Sequence, residues 1–337
     1  MRVLVVNAGS TSLKLHLVGA DGIASPVAAL ADVGPGDADA VAHRVVHGGL
    51  RLRDPVVVDD DVVGAIAELR PLAPLHNAPA LAGIEAARRA LPGLPHVAVF
   101  DTAFHATLPP AAATYAVPAR WREEWGVRRY GFHGLSVEWA AERVPARRLV
   151  VCHLGGGCSV TAVADGRSVD TTMGFSPLEG VPMATRAGSV DPGALLYLLR
   201  EGRVGLEELG RQLEHESGLA GLSGGGSGDI REASELALAV FAHRVAGAAA
   251  AMASAAGGLD ALVFTAGIGE RAPGVRERIC ARLAFLGVEL DPARNAAAEP
   301  DCDVAGDASP VRVHVIHARE ELVAARAARR CLAARPA

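Results

Sequence analysis

The chain has 337 residues, half of them apolar, and a formal net charge of −5. That length exceeds one ordinary core and predicts two domains, each able to bury its own. The charges are spread without a basic tract, which excludes nucleic acid and a membrane surface as the main partners.

The first element is a strand-turn-strand, VLVVNAGSTSLKLHLV (3–18). Its turn carries Asn7, Ser10, Thr11 and Ser12, and Lys14 beyond it is the only lysine in the chain. No G-x-x-x-x-G-K-[ST] is present, and a strand follows where that motif would open a helix. The N–H groups of such a turn still form a nest for an anion, with hydroxyl donors and one point charge beside it. The apolar run starts at Val3 without a charged leader, so the expectation is a cytoplasmic protein.

Ala40–Val46 reads as a strand that places Arg44 in an apolar context, where it needs a carboxylate or an anionic ligand. His43 and His47 have a metal-like spacing, but on a strand this argues against a metal site. Asp59–Leu69 and Ala78–Ala90 read as helices, with His76 in a proline-bracketed turn before the second. His96–Phe100 is a short buried strand ending at Asp101, where α/β sheets place functional carboxylates. YGFHGLS (130–136) offers His133.

Residues 149–166, LVVCHLGGGCSVTAVADG, repeat the order of features of the opening unit and suggest a duplicated fold. A Gly/Pro-rich loop, Thr172–Gly193, carries Glu179, Arg186 and Asp191, and a helix follows from about Gly193. Ala233–Ala256 reads as a helix, and its long apolar stretch, interrupted by His243 and Arg244, suits a core better than a membrane. The strand ALVFTA (261–266) runs into GIGER, with Gly267 and Gly269 ahead of a helix from about Pro273. Val311–Ile316 is a late strand and Glu320–Ala334 a final helix. Strand and helix alternate throughout, so the class is α/β. Cys152, Cys158, Cys280, Cys302 and Cys331 lack C-x-x-C spacing and read as reduced, packed thiols. Three glycine-rich turns, each after a buried strand, together favour a nucleotide cleft.

The ordered series NAGSTSLK, HRVVHGG, LAPLHN, VFDTAFH, YGFHG, HLGGG, SPLEGVPMATR, SGDIRE, FTAGIGE and EEL resembles the acetokinase family of the actin-like ATPase superfamily over essentially the whole chain. The resemblance implies a duplicated actin-like (ribonuclease H-like) fold. It implies an N-terminal domain of 1–148 plus 322–337, a C-terminal domain of 149–321, and ATP/ADP with Mg²⁺ (or Mn²⁺) in a cleft between them. By motif, Asn7, Ser10, Ser12 and Lys14 fall at the phosphate and metal end, and Glu320 matches the metal-associated glutamate. Arg44 would hold the substrate carboxylate, and Asp101, His133 and Arg186 match catalytic positions. Val46, Leu75, Phe132 and Pro177 match the pocket that limits substrate size, which implies acetate ahead of longer acids. His153, Leu154, Gly155, Gly156 and Gly157 would contact the nucleotide. So would Asp229, Ile230 and Arg231, and Gly267, Ile268, Gly269, Glu270 and Arg271. A homodimer through the C-terminal half is also implied.

The chain departs from the family pattern at Gly156 and Arg271, where Asn is common, at Ala184 and Ser189, and in a shorter segment between Asn7 and Arg44. Most departures fall on the nucleotide side, so a donor other than ATP stays open. Three alternatives stand beside acetate: a propionate or other short-chain acyl kinase, a sugar kinase, and a non-catalytic nucleotide switch. The apolar set argues against the sugar kinase, and two arginines opposite a nucleotide argue against the switch.

Overall fold

The computed structural model describes residues 1–8, 13–34, 36–70 and 74–334, without the side chains of residues 74–76. The opening apolar run is a central strand of a six-stranded sheet formed by β1 (Val3–Ala8), β2 (Leu13–Val18), β3 (Ala24–Val27), β4 (Ala40–Val45), β5 (Val56–Val57) and β6 (His96–Phe100). The order is β3-β2-β1-β4-β6-β5; β1 pairs antiparallel with β2 and parallel with β4, and β4 runs parallel to β6.

A second sheet contains β7 (Arg148–Leu154), β8 (Cys158–Ala164), β9 (Arg167–Thr171), β10 (Ala261–Thr265), β11 (Cys302–Asp303) and β12 (Arg312–Val315), in the order β11-β12-β10-β7-β8-β9. Read from its β9 edge it has the same order and the same strand directions as the first. The duplicated, actin-like α/β arrangement expected from the sequence is present.

The chain forms two compact units: Met1–Ala106, Phe132–Trp139 and Arg319–Ala337 make up the first, and Thr107–Gly131 with Ala140–Ala318 the second. Residues 107–131 and 140–148 therefore group with the second sheet.

In the first unit both sheet faces are covered, which is why β1 reads as an unbroken apolar run rather than an alternation. Val3 and Val5 pack with Ala42, Val97 and Val99 under Val323, Ala324, Ala327 and Ala328 of the helix Glu320–Ala333. Leu4 and Val6 face the other way, with Leu15, Val41 and Ala87 of the helix Pro74–Ala90. Burying one such side chain is worth about 1.5–3 kcal/mol. Both faces therefore hold the sheet rigid under whatever its strand ends carry.

In the second unit the alanine-rich helix Glu235–Ala255 is capped by Ser234, whose side chain accepts from Ala237 N–H. By length and composition it could cross a membrane, but Phe241, Val245, Ala249 and Met252 are buried and it packs on β7 and β8.

Two local expectations change. GIGER is not a turn before a helix: Ala266 takes φ +64°, and Ala266–Arg271 is itself a short helix ahead of Pro273–Arg282. The segment around His76 is not a turn either, because the helix already starts at Pro74 and tolerates Pro79 within it. All five cysteines are free thiols.

Candidate active site

In the first unit, register assembles a charged row. Asn7 on β1 lies opposite Lys14 on β2 and opposite Arg44 on β4. Directly opposed residues share a sheet face. Parity puts these three on the face of Val3, Val5 and Ala42, the one covered by the helix Glu320–Ala333.

The row sits at the carboxyl ends of the parallel strands, the usual location of sites in open α/β sheets. Asp101 follows β6 at that same end, fully buried. Its two oxygens take Arg44 Nε at 3.0 Å and Nη2 at 2.5 Å, a bidentate clamp. Arg44 Nη1 donates to Asn7 Oδ1 at 3.2 Å, and Glu320 Oε2 lies 3.6 Å from Arg44 Nε. Burial alone would lower the Arg44 pKa; the Asp101 and Glu320 carboxylates outweigh it and raise it. A guanidinium has five N–H donors, and these hydrogen bonds use three.

Glu320 opens the final helix together with Glu321, where the helix dipole favours negative charge. Asp101, Glu320 and the Asn7 amide form an all-oxygen donor set. Such a set fits Mg²⁺, which takes one or two carboxylates and completes its shell with phosphates and water.

Of the YGFHG segment, Phe132–Gly134 belongs to this unit and is held tightly. His133 adopts φ +59° and precedes Gly134, whose N–H donates to the Asp101 carbonyl at 2.9 Å. A Cβ at Gly134 would stand 2.1 Å from that carbonyl oxygen, so glycine is required. His105, buried, donates from Nε2 to the Phe132 carbonyl at 2.9 Å, and His47, beside Val46, meets the Phe132 ring edge-on at 5.4 Å. Burial pushes the His105 pKa down to about 4, so it is neutral. Val46 and Phe132 are both buried. Ser10, Ser12 and the Leu75 side chain lie outside the described residues.

In the second unit a cavity of about 760 Å³ is lined by Gly155, Gly156, Asp229, Ile230, Arg231, Gly267, Ile268 and Arg271 of the expected set. His153, Leu154, Gly157, Gly269 and Glu270 are not on its wall. Leu154 is core, Gly157 accepts the Gly155 N–H, and Gly269 gives its carbonyl to buried Arg276. Glu270 is occupied elsewhere: its carboxylate takes His317 Nδ1 at 2.7 Å and the Ala318 N–H at 2.9 Å.

Sequence reasoning missed Ser227, Gly228, Leu238, Gly274 and Arg278 on this wall. The run GLSGGGSGD (221–229) was the available signal.

Arg186 also belongs to the second unit. Its Nη1 donates to the Pro177 carbonyl at 2.7 Å, and no carboxylate lies within ion-pair distance among the described residues. Burial lowers its pKa, against the pull of Cys158 and Glu214. The loop that carries it is anchored by Glu179, which accepts from the Tyr115 hydroxyl and from Arg129 Nη2 at 3.0 Å.

Residues 32–326 match the model of the acetokinase family. The acetate kinase of Synechococcus sp. strain JA-2-3B'a(2-13) is 49% identical over 310 residues, covering 87% of this chain and 76% of its own. That of Nostoc punctiforme is 48% identical over 301 residues, covering 84% and 74%. Among solved structures, the propionate kinase of Francisella tularensis superposes with a TM-score of 0.88 at 34% identity, covering 97% and 98% of the two chains. The acetate kinase of Porphyromonas gingivalis gives 0.86 at 31%, covering 98% and 99%. With this sheet duplication, charged row and glycine-walled cavity, the chain belongs to the acetokinase family.

Proposed function

We propose that this chain is an acetate kinase, transferring a phosphoryl group from a nucleoside triphosphate, ATP in the family pattern, to acetate. The observation that carries the reading is the half-buried Arg44, clamped by the buried Asp101 in line with Asn7 and Lys14, with N–H donors left for a carboxylate.

A simple carboxylic acid with a pKa near that of Glu is ionised at neutral pH, so the nucleophile needs no general base. Asp101 is therefore a holder of Arg44 rather than a proton acceptor. The barrier is repulsion between two anions. Arg44 binds the acetate carboxylate through its remaining donors, and Val46 and Phe132, both buried in the same unit, limit its chain length. Arg186, poorly solvated and free of a carboxylate partner among the described residues, and His133 donate to the equatorial oxygens as negative charge redistributes in the in-line transition state. Lys14 neutralises phosphate charge. Asp101, Glu320 and Asn7 would hold Mg²⁺ or Mn²⁺, which supplies further charge neutralisation on the phosphates when bound. The second unit's cavity takes the nucleoside.

The enzyme works in the cytoplasm as a homodimer. Val190, Leu196, Tyr197 and Leu206 stand exposed in one stretch of the second unit and suit a second copy. Sedimentation of Leu196→Glu and Tyr197→Glu variants at half the wild-type mass checks this.

The decisive assay is acyl-hydroxamate formation with acetate, propionate and butyrate, each against ATP, GTP and pyrophosphate. Product from acetate ahead of butyrate is expected. No product with any pair would replace the kinase by a nucleotide switch, and propionate ahead of acetate would make it a propionate kinase.

A further inference from the structure

The second unit's cavity has two kinds of wall. Ile230, Leu238, Ile268 and Val275 are apolar and suit the faces of a flat ring. Gly156, Gly267 and Gly274 have open space where a side chain would begin, which leaves room for a bicyclic base. The polar side chains on the wall are Ser227, Asp229, Arg231, Arg271 and Arg278.

Four of these five are engaged. Ser227 Oγ donates to Glu232 at 3.1 Å and accepts from Asp229 N–H at 3.2 Å. Asp229 accepts from Arg231 Nε at 3.0 and 3.1 Å with its two oxygens. Arg278 donates to both oxygens of Glu235, at 2.6 and 3.0 Å. Arg271, at the end of the helix Ala266–Arg271, makes no hydrogen bond or ion pair among the described residues.

An arginine has donors and no acceptor. The uncommitted side-chain chemistry on this wall is therefore purely donating. Adenine sets an amino donor beside its N7 acceptor. Guanine and hypoxanthine set two acceptors, O6 and N7, side by side, and a guanidinium takes that pair bidentately.

We propose that Arg271 makes the cavity select a 6-oxopurine nucleotide over an adenine nucleotide as the phosphoryl donor. The proposal rests on the reading of this cavity as the nucleotide site.

The test is calorimetric titration of the wild type, Arg271→Ala and Arg271→Asn with GDP, IDP and ADP, alongside kcat/KM for GTP, ITP and ATP. A good bidentate pair discriminates by roughly one order of magnitude. GDP and IDP are therefore expected to bind about 10-fold tighter than ADP, and the ratio should fall to near one in Arg271→Ala. IDP should match GDP, because the selection uses O6 and N7 rather than the 2-amino group. Equal or tighter ADP binding by the wild type overturns the proposal, as does a guanine preference that survives Arg271→Ala. An equal loss for all three ligands in the variant also overturns it, since Arg271 would then serve the phosphates. ADP binding without base preference leaves the nucleotide reading standing, whereas no binding of any nucleoside diphosphate removes both.

Discussion

Across β2, β1 and β4 the first sheet sets Lys14, Asn7 and Arg44 in one row; across β8, β7 and β10 the second sets Ser159, His153 and Thr265 in the corresponding row. The strand order around the two rows is the same, so backbone geometry does not distinguish them. Side-chain charge does. A guanidinium can sit at the end of β4 because Asp101 and Glu320 reach it from β6 and the final helix. The second row has no such charges, its residues are buried, and beside it Gly156 after β7 and Gly267 after β10 leave space rather than filling it. One fold thus gives a row of paired charges in one unit and a cavity walled by missing side chains in the other.

The largest break of that contrast comes from Asp101→Asn. Removing one partner of a buried charge pair typically costs about 3–5 kcal/mol. Urea unfolding should show a loss of that size, with KM for acetate raised as Arg44 loses its orientation. A stability within about 1 kcal/mol of wild type would mean that the clamp is dispensable, as for an exposed pair.

Arg186→Ala tests the group outside both rows. Loss of one transition-state donor lowers kcat by roughly 10²–10³. Steady-state rates at saturating acetate measure it, and near-wild-type turnover would remove Arg186 from catalysis.

On the neutral side, Gly156→Leu should leave the unfolding midpoint unchanged, because nothing lies within 4 Å of the new Cβ. The added side chain would occupy the cavity and raise KM for the nucleotide about 10-fold, the scale of losing one good packing contact. KM for acetate should not move. A parallel rise in both constants would blur the division between the two units.

The response to acid probes the first sheet alone. His43 is held near a pKa of about 3, by burial first and then by His96, and burial holds His105 near about 4. Both lie below the unfolded value of 6.5, so the unfolded chain binds more protons as pH falls below that value. Stability is full above pH about 6.5 and is lost towards pH 4, at up to about 1.4 kcal/mol per pH unit for each histidine. Hydrogen exchange at pH 5 against pH 7 should loosen β4 and β6 first. Uniform loosening of both sheets would contradict this.

Much of this organisation was legible because it is local. Unbroken apolar runs read as doubly covered strands, and Arg44 within one demanded a partner. That the partner is Asp101, 57 residues on, depends on strand register, which no spacing in the chain reveals. Glu270 shows the same limit from the other side. Its motif placed it with the nucleotide, but the pairing with His317 binds it to the chain after β12. The left-handed backbone at His133 and Ala266 was equally invisible, since neither is a glycine.

The helix Glu320–Ala333 lays Val323, Ala324 and Ala328 on Val3 and Val5, more than 300 residues earlier. A ribosome therefore releases the whole second unit before the first can close its core. Until then β1, β4 and β6 expose one apolar face, the aggregation-prone situation of sheets with long-range partners. Glu320 is also the last member of the charged cluster around Arg44 to emerge, so that cluster is completed only near the end of synthesis. A stop codon shortly before Glu320 would deprive the first unit of a wall rather than fray a tail.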